Sequence, residues 1–249
     1  MTTETVFLSR PYRPGMALYG GRDSFRMAPD GDLSRGHSAN SLNISFSNHD
    51  GSHLDLPRHV HPEGRTLDDY PAEYFIFQRP AVLAVRPARG RYLGAADFMS
   101  ADIPKGADLI LIKTGVPYES ESYWRDNPGL DPGGAEFLKS LVPAPRCLGL
   151  DCISVNAWSD RGPGRAAHRI LLAEPAILIL EDLDLSPLDR PGLSLGQVTV
   201  APLRLAGADG APVTVLAELI ASEEPARNPG AKSGEPRSAA AAQLKRKTK

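Results

Sequence analysis

Apolar residues in this chain fall mostly into short runs bounded by Gly, Pro and charged residues. Positions 81–85, 109–112, 147–153, 176–180 and 213–217 are such runs, rich in Leu, Ile and Val. Continuous runs of this length predict strands buried on both faces. Positions 42–47 instead alternate apolar and polar residues, which predicts a half-buried strand. Residues 132–141 read as a helix that follows a turn and stops at Pro143. The first 40 residues are rich in Gly, Pro, Arg and Ser, and only 6–8 suggest a short strand there. Strands separated by helices and long loops predict an α/β domain. No internal repeat of 20–50 residues is visible.

Composition sharpens this picture in two places. The chain has 249 residues, of which 41% are hydrophobic and 23% charged, enough for one sizeable core. It carries 28 Lys and Arg against 30 Asp and Glu, a balance that argues against general nucleic-acid binding. From Ser222 onward the sequence shifts to Glu, Pro, Gly, Ala, Lys and Arg. The expected organisation is a compact domain over 1–221 and a disordered, basic, solubilising tail over 222–249. Neither a leader pattern nor an apolar run of membrane-spanning length is present, so the expected location is the cytoplasm, away from membranes. Cys147 and Cys152 fit no zinc spacing, and an odd offset along a strand points them to opposite faces, unpaired.

The chemistry-bearing segment is 48–61. Of six histidines, four lie here: His49, His53, His59 and His61, interleaved with Asp50, Gly51, Asp55 and Pro57. Gly51, Ser52 and Pro57 argue against a helix. On an extended stretch His53 and Asp55, two apart, face the same way. His49 can fold back across Gly51, since glycine permits backbone angles closed to other residues. Two imidazoles and a carboxylate then converge, a donor set suited to Zn²⁺, Mn²⁺ or Fe²⁺. A polar surface loop is the competing explanation, and it accounts poorly for such clustering. His61 reads as a neighbour and not as a ligand. His168 precedes the apolar run that ends in Glu181, so a second metal position near that sheet edge is plausible. Tyr74, Phe75, Phe77, Trp124 and Trp158 are expected to pack in the core.

The segment His49-Asp50-Gly51-Ser52-His53-Leu54-Asp55-Leu56-Pro57-Arg58-His59 resembles the signature of the cyclase family of metal-dependent hydrolases, which includes bacterial kynurenine formamidases. That signature is His-x-Gly-Thr/Ala-His-x-Asp-x-Pro-x-His, and Ser52 is the one departure. Gly149-Leu150-Asp151 with Ser154, and His168 through Leu172 followed by Glu181-Asp182-Leu183, resemble later family blocks. The resemblance implies that His49, His53 and Asp55 hold one metal ion. It implies that Asp55, His168 and Glu181 hold a second, with Asp55 bridging, and that His59 transfers protons. It also implies a swivelling β/β/α domain, assembled as a homodimer or higher homo-oligomer.

The implied activity is hydrolysis of a small-molecule amide, by analogy an aryl formamide, through attack of metal-bound hydroxide. One or two divalent ions per chain are expected, zinc or manganese. A divalent ion lowers the pKa of water from about 16 to near 7 and polarises a carbonyl. Histidine, with an unperturbed pKa of about 6.5, suits the proton-transfer role given to His59. Lactam ring opening or a natural-product step are alternatives within the family. An iron oxygenase using His53, Asp55 and His168 leaves His49 and His59 without a role. A non-catalytic metal-binding protein is the third alternative.

Overall fold

The computed structural model describes residues 2–87, 91–118 and 122–221. The expected basic tail, 222–249, lies outside the described residues. In chain order the strands are β1 (Thr3–Phe7), β2 (Arg26–Gly31), β3 (Ser41–Ser45), β4 (His53–Asp55), β5 (Ile76–Phe77), β6 (Pro80–Ala84), β7 (Leu109–Lys113), β8 (Cys147–Leu150), β9 (Leu178–Glu181), β10 (Leu193–Pro202) and β11 (Gly210–Ala221). The helices are α1 (Ala95–Met99), α2 (Pro132–Ser140) and α3 (Gly162–Leu172). The fold class is α/β, as expected.

The apolar runs form the parallel half of the main sheet, with β6, β7, β8 and β9 side by side. The four residues 109–112 are completely buried, which explains why this segment reads as a continuous run. Helices supply the crossovers and pack against one another and against β9. At the start of α2 the Asp131 carboxylate accepts a hydrogen bond from the Gly134 N–H at 2.8 Å, and Pro132 opens the first turn. The antiparallel half is built on β11, which pairs with β10 along one side and with β1 and then β4 along the other.

β4 joins the halves. It is three residues long, and it pairs antiparallel with both β11 and β9. The strand order begins at β5 and ends at β6, yet only residues 78 and 79 separate these two in the chain. The sheet therefore curls back on itself into a nearly closed barrel.

Three expectations change. The alternating segment forms β3, but it pairs only with β2 in a separate hairpin, and Leu42 and Ile44 are each 53% exposed. The alternation is real and Phe46 packs against Tyr12, but among the described residues no element buries Leu42 and Ile44. The strand expected over 147–153 ends at Leu150, and Cys147 and Cys152 are free and buried. Tyr74, Phe75 and Phe77 belong to the core, whereas Trp124 and Trp158 are only half-buried. The two tryptophans stack edge-on at 5.3 Å over the turn at Gly20 and Gly21, where any Cβ would collide with their rings.

Candidate metal centre

The seam strand carries the two central side chains. Side chains alternate along a strand, so His53 and Asp55 share one face while Leu54 packs into the core. Just upstream, Gly51 turns the chain at φ 64°, in the left-handed region that favours glycine. The turn returns His49 over the strand, with Nδ1 2.8 Å from Asp55 Oδ1. This is the arrangement that the spacing predicts.

Two further side chains arrive from the parallel half. Glu181 ends β9 directly opposite His53. Its Oε1 accepts hydrogen bonds from the Val155 N–H at 2.7 Å and the Ser154 hydroxyl at 3.2 Å. His168 projects from α3 and donates its Nδ1–H to the Gly164 carbonyl, one turn earlier, at 3.0 Å. His53 likewise donates its Nδ1–H to the Gly51 carbonyl at 2.8 Å. A carbonyl only accepts, so both rings are fixed with Nε2 facing the carboxylates.

The distances within this group decide what it suits. His53 Nε2 lies 3.4 Å from Asp55 Oδ1 and 3.6 Å from Glu181 Oε2. His168 Nε2 lies 3.4 Å from Asp55 Oδ2 and 3.3 Å from Glu181 Oε1. All four exceed the usual hydrogen-bond range of about 2.7–3.2 Å. They match the roughly 3.4 Å edge of a tetrahedron whose corners sit about 2.1 Å from a central ion. His53, Asp55 and Glu181 are one compact donor set, and His49, Asp55 and His59 are another, so Asp55 is common to both.

Electrostatics point the same way. Burial disfavours a proton on His53, but Asp55 and Glu181 outweigh it and raise the pKa to about 9. Burial opposes His168 too, and the same two carboxylates lift it to about 10. Burial would raise Asp55, yet His53, His168 and His49 hold it well below the usual carboxylate range. The buried acid pair thus demands positive charge at its centre. Protons on the two histidines meet that demand in the metal-free protein, and a divalent cation fits the same place.

All six residues expected at the site line one cavity of about 230 Å³, which Tyr19, Arg22 and Asn156 also border. The His59 ring lies 4.2 Å from that of His49 and 6.0 Å from that of His168. His61 turns away and bonds the Arg169 carbonyl at 3.0 Å, outside the cluster. Sequence reasoning missed Asp209. Its Oδ2 lies 3.0 Å from His49 Nε2 and 3.1 Å from His59 Nδ1. Burial favours its neutral form, but the bonds from His59 and His49 prevail and lower its pKa to about 2. The only sequence signal was an Asp-Gly pair entering a strand.

The family model described as "Putative cyclase" matches residues 6–157. The chain belongs to the cyclase family. Kynurenine formamidase of Geobacillus thermodenitrificans is 28% identical to this cyclase-family chain over 203 residues, covering 82% of it and 88% of the relative. Cyclase-like protein 3 of Arabidopsis thaliana is 30% identical over 189 residues, covering 72% of the chain and 66% of the relative. Among solved structures, isatin hydrolase A from Labrenzia aggregata bound to benzyl benzoate superposes with a TM-score of 0.70 at 22% identity, covering 87% of the chain and 93% of the neighbour. That neighbour shares the fold. Among the described residues of this cyclase-family chain, no helix is long and apolar enough to cross a membrane.

Proposed function

We propose that this protein is a metal-dependent amide hydrolase acting on an aryl formamide or a related aryl amide. One observation carries the reading: two ring-locked histidines face two buried carboxylates at 3.3–3.6 Å in the lining of a cavity of about 230 Å³. The named relatives support the bond type. The formamidase relative spans most of this chain, and the isatin hydrolase neighbour has the same fold.

His53, Asp55, His168 and Glu181 would hold a divalent ion, with His49 and Asp55 forming the side of the site nearest His59. Zinc and manganese suit the mixed nitrogen and oxygen donors, and the shared Asp55 allows one or two ions per chain. When bound, the cation acidifies water and polarises the amide carbonyl. The other steps fall to the chain. His59 accepts the proton that the attacking water loses, then delivers it to the leaving nitrogen as the C–N bond breaks. A two-histidine, one-carboxylate oxygenase site would leave Glu181, His49 and His59 unexplained. From the family resemblance we also propose a homodimer or higher homo-oligomer, which light scattering on purified protein tests, and from the sequence pattern a cytoplasmic location.

The functional test loads purified protein with zinc or manganese, measures metal content, and assays formanilide, isatin and a phenyl ester. Metal-dependent amide turnover, abolished by chelation and restored by metal, is the expected result. A fully loaded protein that cleaves no amide would overturn the proposal.

A further inference from the structure

Asp209 lies beyond the histidine segment in sequence and is strapped to it in space. Its Oδ1 accepts a hydrogen bond from Asn48 Nδ2 at 2.8 Å, and its backbone carbonyl accepts one from the Leu56 N–H at 3.0 Å. Its other carboxylate oxygen faces His49 Nε2 at 3.0 Å and His59 Nδ1 at 3.1 Å. The adjacent Gly210 lets His49 lie flat against the backbone, since a Cβ there would come within 2.5 Å of His49 Cε1. Four points of one segment, Asn48, His49, Leu56 and His59, are therefore gathered on this single residue.

A carboxylate accepts hydrogen bonds and donates none. Each imidazole nitrogen that faces Asp209 must therefore carry the hydrogen. That leaves Nε2 of His59 bare on a ring that lines the cavity, whereas His49, whose Nδ1 faces the Asp55 carboxylate at 2.8 Å, is held between two acceptors. We propose that Asp209 is a positioning residue that fixes the orientation and tautomer of His59 and anchors His49 beside it. In the hydrolase reading, on which this role in turnover rests, Asp209 aims the proton acceptor of the reaction.

Asp209→Asn keeps the size and shape of the side chain. Three donors meet the carboxylate, and an amide offers one acceptor and one donor in its place, so the network cannot be satisfied. In zinc-loaded protein in mildly alkaline buffer, ¹⁵N NMR of the imidazoles should show His59 protonated at Nδ1 in the wild type and shifted toward the other tautomer in Asp209→Asn. With formanilide, kcat should fall roughly 10–100-fold at little-changed KM and full zinc content. Asp209→Glu, which still only accepts, should regain part of that loss. An unchanged His59 tautomer in Asp209→Asn would overturn the proposal. Zinc lost in step with activity would also overturn it, because Asp209 would then act only through the ion. If the wild type cleaves no amide, the hydrolase reading fails separately, and the tautomer measurement still decides the role of Asp209.

Discussion

Glu181 and Asp182 are neighbours in the chain, both acidic and both almost fully buried, yet they belong to different kinds of site. Glu181 looks into the cavity, where two imidazole nitrogens stand 3.3–3.6 Å away. Asp182, at φ 59°, turns the chain at the end of β9 and faces the opposite side. There Tyr123 donates its hydroxyl to Oδ1 at 2.6 Å, and Arg10 Nε reaches the same oxygen at 3.1 Å. In the second cluster the donors meet Asp182 Oδ1 by direct hydrogen bonds. The first has donors at the spacing an ion requires. The two acids alone do not separate the sites, whereas the partners and their spacing do: imidazoles at 3.3–3.6 Å around Glu181, a hydroxyl and a guanidinium at 2.6–3.1 Å on Asp182.

The strongest way to break this comparison is at Asp55. Asp55→Asn removes the charge common to both donor sets, so zinc affinity should fall by at least about 1,000-fold, roughly 4 kcal/mol. Turnover should disappear with it. Isothermal titration and metal analysis measure the first, and the formanilide assay the second. Retained zinc affinity would place the ion elsewhere.

The matching change on the closed side is Arg10→Met, and here stability should respond and zinc content should not. Burial already lifts Asp182 to about 6 against the opposing pull of Tyr123 and Arg10. Without Arg10 its pKa rises further, so the folded variant keeps a proton that the unfolded chain releases. Stability then falls as pH rises. Wild type stops losing stability from this group once pH exceeds about 6, while the variant goes on losing it, at about 1.4 kcal/mol per pH unit. Near pH 5 the gap should be about 1 kcal/mol, from the lost bond to the Leu183 carbonyl. Near pH 8 it should approach about 3–4 kcal/mol in urea titrations.

These two clusters also show what a sequence can reveal. His53 and Asp55 follow from the two-residue repeat of a strand, and His49 from the turn that Gly51 permits. The parallel strands follow from apolar runs that burial on both faces requires. Asp209 does not follow, because nothing local distinguishes one acid in a loop 150 residues away from His59. Helix α3, which carries His168, is concealed by its opening Gly162-Pro163-Gly164. The last of these glycines is needed, since a Cβ there would lie 2.5 Å from Asn156 Oδ1. Burial of β3 was wrongly expected, because alternation marks an apolar face without saying what covers it.

A milder perturbation enters the open cluster from behind. Gly210→Ala would place a methyl 2.5 Å from His49 Cε1 and 2.7 Å from the Leu54 carbonyl. His49 must then shift off Asp55. Zinc affinity should drop by roughly tenfold, about 1.4 kcal/mol, with a stability cost of about 1–2 kcal/mol. Arg10→Met should leave zinc affinity alone, so a larger affinity loss there than in Gly210→Ala would reverse the assignment of the two sides.

The smallest expected effect is also the most discriminating, because Ser52 lies inside the histidine motif. Its position between His49 and His53 suggests a place in the ion site. Alternation sends its side chain the other way, and it is completely buried among the Asp182 group. The Ser52 hydroxyl donates to the Asp182 carbonyl at 2.6 Å and accepts from the Arg10 backbone N–H at 2.8 Å. Ser52→Ala therefore leaves one acceptor and one donor without partners. It should cost about 1–2 kcal/mol of stability while zinc content and kcat stay at wild-type values. Calorimetry and metal analysis of the same sample measure both. If zinc were lost and stability kept, the motif would serve a single site. The opposite result would show that one short segment ties the ion cluster to the closed ion pair behind it.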